Sequence, residues 1–574
     1  MSVRNMLGGW LRARPSSLVA LSIVVGVLTG LGAVIFRYLI SGFTWLFTGH
    51  QDFAGLGRIS STHLPWLGAC FLLVVPVVAG LIYGPLVYRF APEARGHGVP
   101  EVMYAVSMRG GRIAPRVAFV KSLASALCIG GGGSVGREGP IVQIGSAVGS
   151  SVAQWLRLDT TRVRLLVACG AAGGISATFN TPLAGPFFAM ELILKDFAAQ
   201  SFGAVVLSSV TASIVGRALL GDQPFLKLPS FSVHSPAEYL LFAALGVLVG
   251  VVGVVFAKVL YLVEDACDWL WRGPEWARPA VGGVLLGALL LALPEMYGVG
   301  YPVLQKAIEG RYVVGFLLVL MIGKMLATSL TIGIGGSGGV FAPTLFIGAM
   351  AGSAFGVLAH MTWPSATEAA GAYGLVGMGA ALAGATRASI TAVIILFELT
   401  GQYSIILPLM IAVALAAGTS HLLSRQTIYT SKLWRRGIDL ENAPALPDNV
   451  TAAALAAPPP VRLPEHMALA DAAELLARAP TGMVPVVADG DRYVGCVSAE
   501  DAVTALEDTE GPQLMDSLLR QPPTIPADAQ LPDVVKALSG YGATGLPVVD
   551  EGSRLVGWIT YENVLTRLTV RGHQ

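Results

Sequence analysis

The chain has 574 residues, of which 54% are hydrophobic and only 13% charged, with a formal net charge of +1 at pH 7. Soluble domains carry roughly 25% charged residues, so this is the composition of a protein that spends much of its length in lipid. A near-neutral balance leaves no basic footprint for nucleic acid. The cysteines (Cys70, Cys128, Cys169, Cys267 and Cys496) stand apart with no CxxC spacing, which suggests neither a disulfide framework nor a metal centre.

Arg4, Arg12 and Arg14 precede a first apolar run that is too long for the core of a signal peptide and is followed by no clear small-residue cleavage site. It reads as an uncleaved membrane helix whose N-terminus stays in the cytoplasm. A helix needs about 20 apolar residues to span the hydrocarbon. Spans are expected at 18–39, 67–86, 239–263, 281–293, 313–330 and 405–423. Other apolar segments are too short or too rich in glycine for a plain crossing. Lys432, Arg435 and Arg436 follow the last run and hold that end inside too, so the number of crossings is even. The expected setting is a multi-pass protein of a bacterial-type inner membrane with both termini cytoplasmic.

Residues 131–140, GGGSVGREGP, place Arg137 and Glu138 in a glycine-rich break between apolar runs. The break has a counterpart. With Lys121 laid on Lys324, residues 121–150 match 324–353 without a gap, and Gly130, Gly132, Gly133, Ser134, Gly136, Pro140, Gly145 and Gly149 meet identical residues. A second block, 170–192, faces 377–399 and sets Glu191 opposite Glu398. The membrane part is thus duplicated, with halves at about 17–220 and 237–430. Glycine-interrupted helices at corresponding places in two halves point to a transport site, because broken helices persist at depth only where they line a cavity or lie inside protein. Pro140 and Pro343 suit the first turn of a helix, where no N–H is needed. Two such N-termini facing each other make an anion site without a full positive charge, weak enough to let the ion leave.

Composition shifts after Leu440. Residues 441–465 read as a Pro- and Ala-rich linker, and 466–574 as a soluble α/β part built twice, at about 466–508 and 515–570. With Pro485 laid on Pro547, Gly495 falls on Gly557 and Asp501 on Asn563.

These segments resemble the CLC family of chloride channels and proton-coupled chloride antiporters. The family's motifs stand here as GHGVP (96–100), GREGP (136–140), GGVFAP (338–343) and the tyrosine of SRQTIYT, Tyr429, in the family's order. The soluble repeat resembles a tandem CBS pair, which many members carry. The fold implied is an all-α polytopic membrane protein with two inverted-topology halves and broken helices, followed by an α/β CBS pair. The resemblance also implies a homodimer with one anion pathway per subunit. Chloride is the transported ion, and no cofactor is required. Backbone N–H groups of Val340 and Phe341 and the Tyr429 hydroxyl would face it, and His97, Gly98, Arg137 and Gly139 complete the anion-binding breaks. Glu138 would be the gate: its carboxylate mimics the anion, and protonation releases it.

Two departures from the family pattern stand out. His97 occupies a position that commonly holds serine in chloride-transporting members and proline in nitrate-preferring plant members, so selectivity is open. Leu192 replaces the inner glutamate typical of proton-coupled members. Either the protein is a passive channel gated by Glu138, or protons cross by another route, with Glu191, His97 or water as carriers. Glu191 is alternatively a carboxylate that caps helix ends, as is Glu398. In the tail, Ser498–Asp501 and Thr560–Asn563 match the family's ribose-binding segment, Asn563 replacing an Asp, so the pair either binds an adenine nucleotide or is structural. Two other classes compete: a CBS-regulated, magnesium-type cation transporter, which needs acidic residues along its pore, and a membrane enzyme, for which the sequence holds no nucleophile elbow or GK[ST] phosphate loop.

Overall fold

The computed structural model describes residues 16–57, 60–63, 65–221, 231, 235–364, 367 and 369–439 of the membrane part, and 451–459, 461–476, 483–498, 501–502, 504–505, 518–541, 545–560 and 563–564 of the tail. The chain forms two compact units, Met1–Leu440 and Glu441–Gln574.

The first unit is helical. Its elements are α1 (Ser16–Thr48), α2 (Phe71–Phe90), α3 (Val99–Met108), α4 (Pro115–Gly130), α5 (Glu138–Trp155), α6 (Thr160–Phe179), α7 (Ala184–Phe188, running into a π-helical turn, Ala189–Leu194) and α8 (Ala199–Leu220). The same series then recurs: α9 (Glu238–Leu270), α10 (Arg278–Ala292), α11 (Tyr301–Ile308), α12 (Val314–Gly333), α13 (Phe341–Thr362), α14 (Ala370–Thr386), α15 (Ser389–Thr400) and α16 (Ile406–Leu423), with a short α17 (Thr430–Trp434) outside the repeat. Five of the six expected spans fall on helices long and apolar enough to cross a membrane; the sixth, 281–293, falls on α10, whose 15 residues leave it among the shorter apolar helices. Helices α1 and α9, at 33 residues each, run well past the expected limits, because helix continues through flanking aromatic and polar residues beyond the hydrocarbon. Among the described residues seven helices are long and apolar enough to cross a membrane, including Ser201–Leu220 and Phe341–Thr362, which were not expected. The second is rich in glycine and small residues, and it survives as helix because 83% of its most apolar window is buried inside the protein. At the other extreme α15, with 12 residues, spans about 18 Å at 1.5 Å per residue, less than the roughly 30 Å of a bilayer's hydrocarbon.

The duplication is written into hydrogen bonds between mates. Gly136 and Gly339, laid on each other by the repeat, exchange both N–H···O=C bonds, at 2.7 and 2.6 Å. Such a reciprocal, antiparallel pair between equivalent residues needs a local two-fold relation between the halves. Other contacts come in matching pairs. Ser125 meets Ser337 at 2.8 Å, and Thr328, the mate of Ser125, donates to the carbonyl of Ser134, the mate of Ser337, at 2.8 Å.

The second unit repeats too. β1 (Leu463–Pro464) lies parallel to β2 (Met483–Ala488), which pairs antiparallel with β3 (Arg492–Ser498); β4 (Ile525–Pro526), β5 (Gly545–Val549) and β6 (Leu555–Thr560) do the same. The register carries over: Pro485 faces Cys496 as Pro547 faces Trp558, and both sheets slip between adjacent valines, at Val486/Val487 and Val548/Val549. Short helices α18 (Ala452–Leu455), α19 (Leu469–Leu476) and α20 (Leu531–Tyr541) complete the unit. The linker expected at 441–465 is shorter than its composition suggests. Residues 452–459 and 461–464 are folded: Ala452 and Ala453 donate to Ala529 and Ala527, Ala457 and Trp558 exchange backbone bonds, and β1 joins the first sheet. A two-residue strand has no alternation to read, and backbone pairing needs no particular side chains. Residues 441–450 lie outside the described residues.

Candidate anion site

Three glycine-rich breaks meet where α3, α5 and α13 begin. Gly96 pairs with the Ser337 strand through Gly96 N–H to Gly336 (3.0 Å) and Gly338 N–H to Gly96 (3.3 Å), while Gly136 pairs with Gly339. Backbone crosses backbone so closely that side chains are excluded. A methyl group on Gly139 would stand 2.1 Å from the His97 carbonyl oxygen. Gly98, which caps α3, adopts φ +85°, a conformation glycine reaches freely. Val340 caps α13 and Phe341 opens it; both are buried. Their backbone N–H groups have no acceptor among the described residues, as the first turn of a helix dictates. Pro343, inside that turn, removes a donor that would otherwise need a partner.

Glu138, at the first position of α5, is only 1% exposed. Its carboxylate crosses to the other half of the molecule. Oε2 accepts from the Ala342 N–H in the first turn of α13 at 3.3 Å, and Oε1 accepts from the Tyr301 hydroxyl at 2.6 Å. A carboxylate thus occupies the positive end of a buried helix. Arg137 joins this group through the Tyr301 side chain, which it hydrogen-bonds; it lies over the rings of Tyr301 (5.3 Å) and Phe179 (5.8 Å), and lines a cavity of about 430 Å³ together with Arg37, Asp52, Arg217 and Tyr301.

Tyr301 was missed in the sequence, yet a signal existed. GVGYP (298–302) lies on GHGVP (96–100), Gly298 on Gly96 and Pro302 on Pro100, so Tyr301 opens the fourth break. Lys121 and Lys324 anchored the alignment and received no role. Both are fully buried. Lys121 donates to the Ala94 and Gly96 carbonyls at 2.8 and 2.7 Å, and Lys324 to Ser134 Oγ and the Gly298 carbonyl, both at 2.9 Å. Each ammonium ties down the break that precedes α3 or its mate α11.

His97 is wholly buried, its ring edge-on to Tyr261 at 6.2 Å, and neither ring nitrogen has a hydrogen-bond partner among the described residues. Tyr429, the N-cap of α17, is 1% exposed and its hydroxyl finds no hydrogen-bond partner among them either. A tyrosine that anchors a protein at the membrane surface keeps its hydroxyl among the lipid headgroups, whereas this side chain is buried. Lys432 lies next to this region: its Nζ stands 2.6 Å from where a Gly96 methyl would be.

Glu191 and Glu398 are placed symmetrically. Glu191 accepts from Ile390 N–H (3.1 Å), Thr391 N–H (2.8 Å) and Thr391 Oγ1 (2.7 Å) at the start of α15. Glu398 accepts from Leu183 N–H (2.9 Å) and Ala184 N–H (2.7 Å) at the start of α7. Each carboxylate caps its mate's helix. Leu192 beside it is buried.

In the tail, Ser498 Oγ accepts from Asp501 N–H (3.1 Å), and Asn563 Oδ1 accepts from Thr560 N–H (3.1 Å) and Oγ1 (2.6 Å). Asp501 is held bidentately by Arg520, with both contacts at 2.6 Å.

The family model described as Voltage gated chloride channel matches residues 79–421, and that of the CBS domain matches 452–508 and 515–569. The H(+)/Cl(-) exchange transporter ClcA of Vibrio campbellii is 36% identical over 440 residues, which cover 73% of this chain and 89% of the relative. A crystal structure of a slow cyanobacterial Cl-/H+ antiporter is 26% identical, with a TM-score of 0.64, over 73% of this chain and 97% of the other. A eukaryotic CLC transporter, 22% identical with a TM-score of 0.69 over 98% and 99% of the two chains, shares the fold of both units. The converging breaks, the duplicated helices and these matches together mean that this chain belongs to the voltage-gated chloride channel family, CLC, with a tandem CBS tail.

Proposed function

We propose that the chain moves chloride across a membrane in exchange for protons, with Glu138 as the shared gate. The observation that supports this most directly is the Glu138 carboxylate on the α13 N-terminus beside Val340 and Phe341. A group that binds there as an anion competes with chloride, and its protonation removes the competitor. His97, Gly98, Arg137, Gly139 and Tyr429 line the path around it. Glu191 is assigned a capping role rather than a place on the proton route, since its oxygens are already engaged. A passive channel is the second reading, favoured by Leu192, which cannot carry a proton. The magnesium-type alternative finds no support in the comparisons.

The protein works as a homodimer. Helices α8 and α16, mates in the repeat, expose Ile214 (61%) and Leu407 (62%), apolar surface suited to a second copy or to lipid. Lys432, Arg435 and Arg436 put the α17 end at the cytoplasm, in a bacterial-type inner membrane. The tail tunes transport and takes an adenine nucleotide only in competition with Arg520. The test is a chloride gradient imposed on proteoliposomes with pH recorded outside. Exchange predicts proton uptake as chloride leaves; chloride loss with no proton movement selects the channel.

A further inference from the structure

We infer that Glu264 is the proton-accepting carboxylate on the inner side of this transporter. The inference rests on the exchange reading above. Exchange needs a proton path between the inner solution and Glu138, and a titratable side chain on the inner side would feed it. Leu192 offers none, and Glu191 is engaged as a cap by three hydrogen bonds.

The acidic side chains described near the inner end of α9 and α17 differ in how they are held. Glu101 lies 2.8 Å from Arg436. Asp265 is bound by Arg435, and Asp268 lies 2.5 Å from Arg278. Glu264 is not tied in this way. Its Oε1 is 3.9 Å from Lys432 Nζ, beyond hydrogen-bond distance, and its Oε2 is buried with no hydrogen-bond partner among the described residues. Such an oxygen can take a proton without breaking a close ion pair. Its position also fits. Glu264 follows Tyr261 by one turn of α9, and the Tyr261 ring meets the His97 ring. Lys432 links the other side, since its ammonium sits against Gly96. The side chains of Glu264 and Lys432 are 18% and 13% exposed: water reaches them, yet most of the pair is dehydrated. The titratable groups that face Glu264 are Tyr261 and Cys267 on its own helix and Lys432 on α17, with Glu101 on α3, Arg436 and Arg95 acting on Lys432.

The step is a simple transfer. Hydronium on the inner side gives a proton to Oε2, forming one O–H bond and leaving water. The same bond then breaks toward water on the His97 side, and the carboxylate returns. Lys432 remains an ammonium throughout and steadies the charged state.

The test uses the full chain in proteoliposomes, with chloride and proton fluxes recorded together for wild type, Glu264→Gln and Glu264→Asp. The expected result is that Glu264→Gln keeps chloride flux and loses proton movement, while Glu264→Asp, which retains a carboxyl group, keeps both. Coupling at the wild-type ratio in Glu264→Gln overturns the assignment and leaves exchange intact. Loss of chloride flux in both variants makes Glu264 structural and overturns it too. A wild type that moves no protons sinks the exchange reading itself.

Discussion

Glu138 is held by one strong contact and one weaker one. The Tyr301 hydroxyl at 2.6 Å is a charge-assisted bond, and the Ala342 amide at 3.3 Å is long. Tyr301→Phe removes the first, together with the hydroxyl's hydrogen bond to Arg137, and leaves the ring that Arg137 covers. A hydrogen bond to a charged group is worth about 1.5–3 kcal/mol, so the docked state should lose roughly one to two decades of population. Chloride efflux should then rise in Tyr301→Phe at neutral pH. An unchanged rate would mean that docking of Glu138 does not limit transport. Glu138 itself was legible in the sequence, because a carboxylate within a glycine break has few other uses. Tyr301 was not, because a tyrosine near the start of a short helix is commonplace until GVGYP is laid on GHGVP.

At the scale of elements, the two capping glutamates form a matched pair. Glu398→Ala leaves the Leu183 and Ala184 amides of α7 unpaired, and Glu191→Ala leaves those of Ile390 and Thr391 on α15. Each should cost about 1–3 kcal/mol for the one buried residue whose amide it orphans, Ala184 or Thr391, and lower the unfolding temperature in detergent. Glu191→Gln, which keeps one acceptor oxygen, should retain the wild-type ratio of protons to chloride; a changed ratio would return Glu191 to the proton route. The repeat in the sequence set Glu191 opposite Glu398 but could not say that each reaches across to the other half, since that depends on how the halves are inverted. The order of helices was readable from apolar runs. The lengths of α1 and α9 were not, because a helix does not end where hydrophobicity does. The folded stretches 452–459 and 461–464 hid for a related reason: their contacts are made by backbone, which composition does not register.

For the whole molecule, the CBS pair sets a condition on regulation. Arg520 occupies Asp501 with two short contacts, on a side chain that is itself more than half exposed. Arg520→Ala should therefore raise the affinity of the tail for ATP, read by calorimetry on the full-length protein; no change would indicate that Asp501 takes no part in binding. Truncation after residue 440 should abolish any effect of ATP on chloride flux, and equal responses with and without the tail would remove its regulatory role.

The most direct test of the central claim is simultaneous chloride and proton flux in Glu138→Gln. The glutamine keeps the size of the side chain and cannot carry charge or exchange a proton. The account predicts that chloride still moves, no longer gated by pH, and that the proton flux seen in wild type disappears. Proton movement that persists at the wild-type ratio in Glu138→Gln would contradict the assignment of this carboxylate as the point where chloride and protons meet.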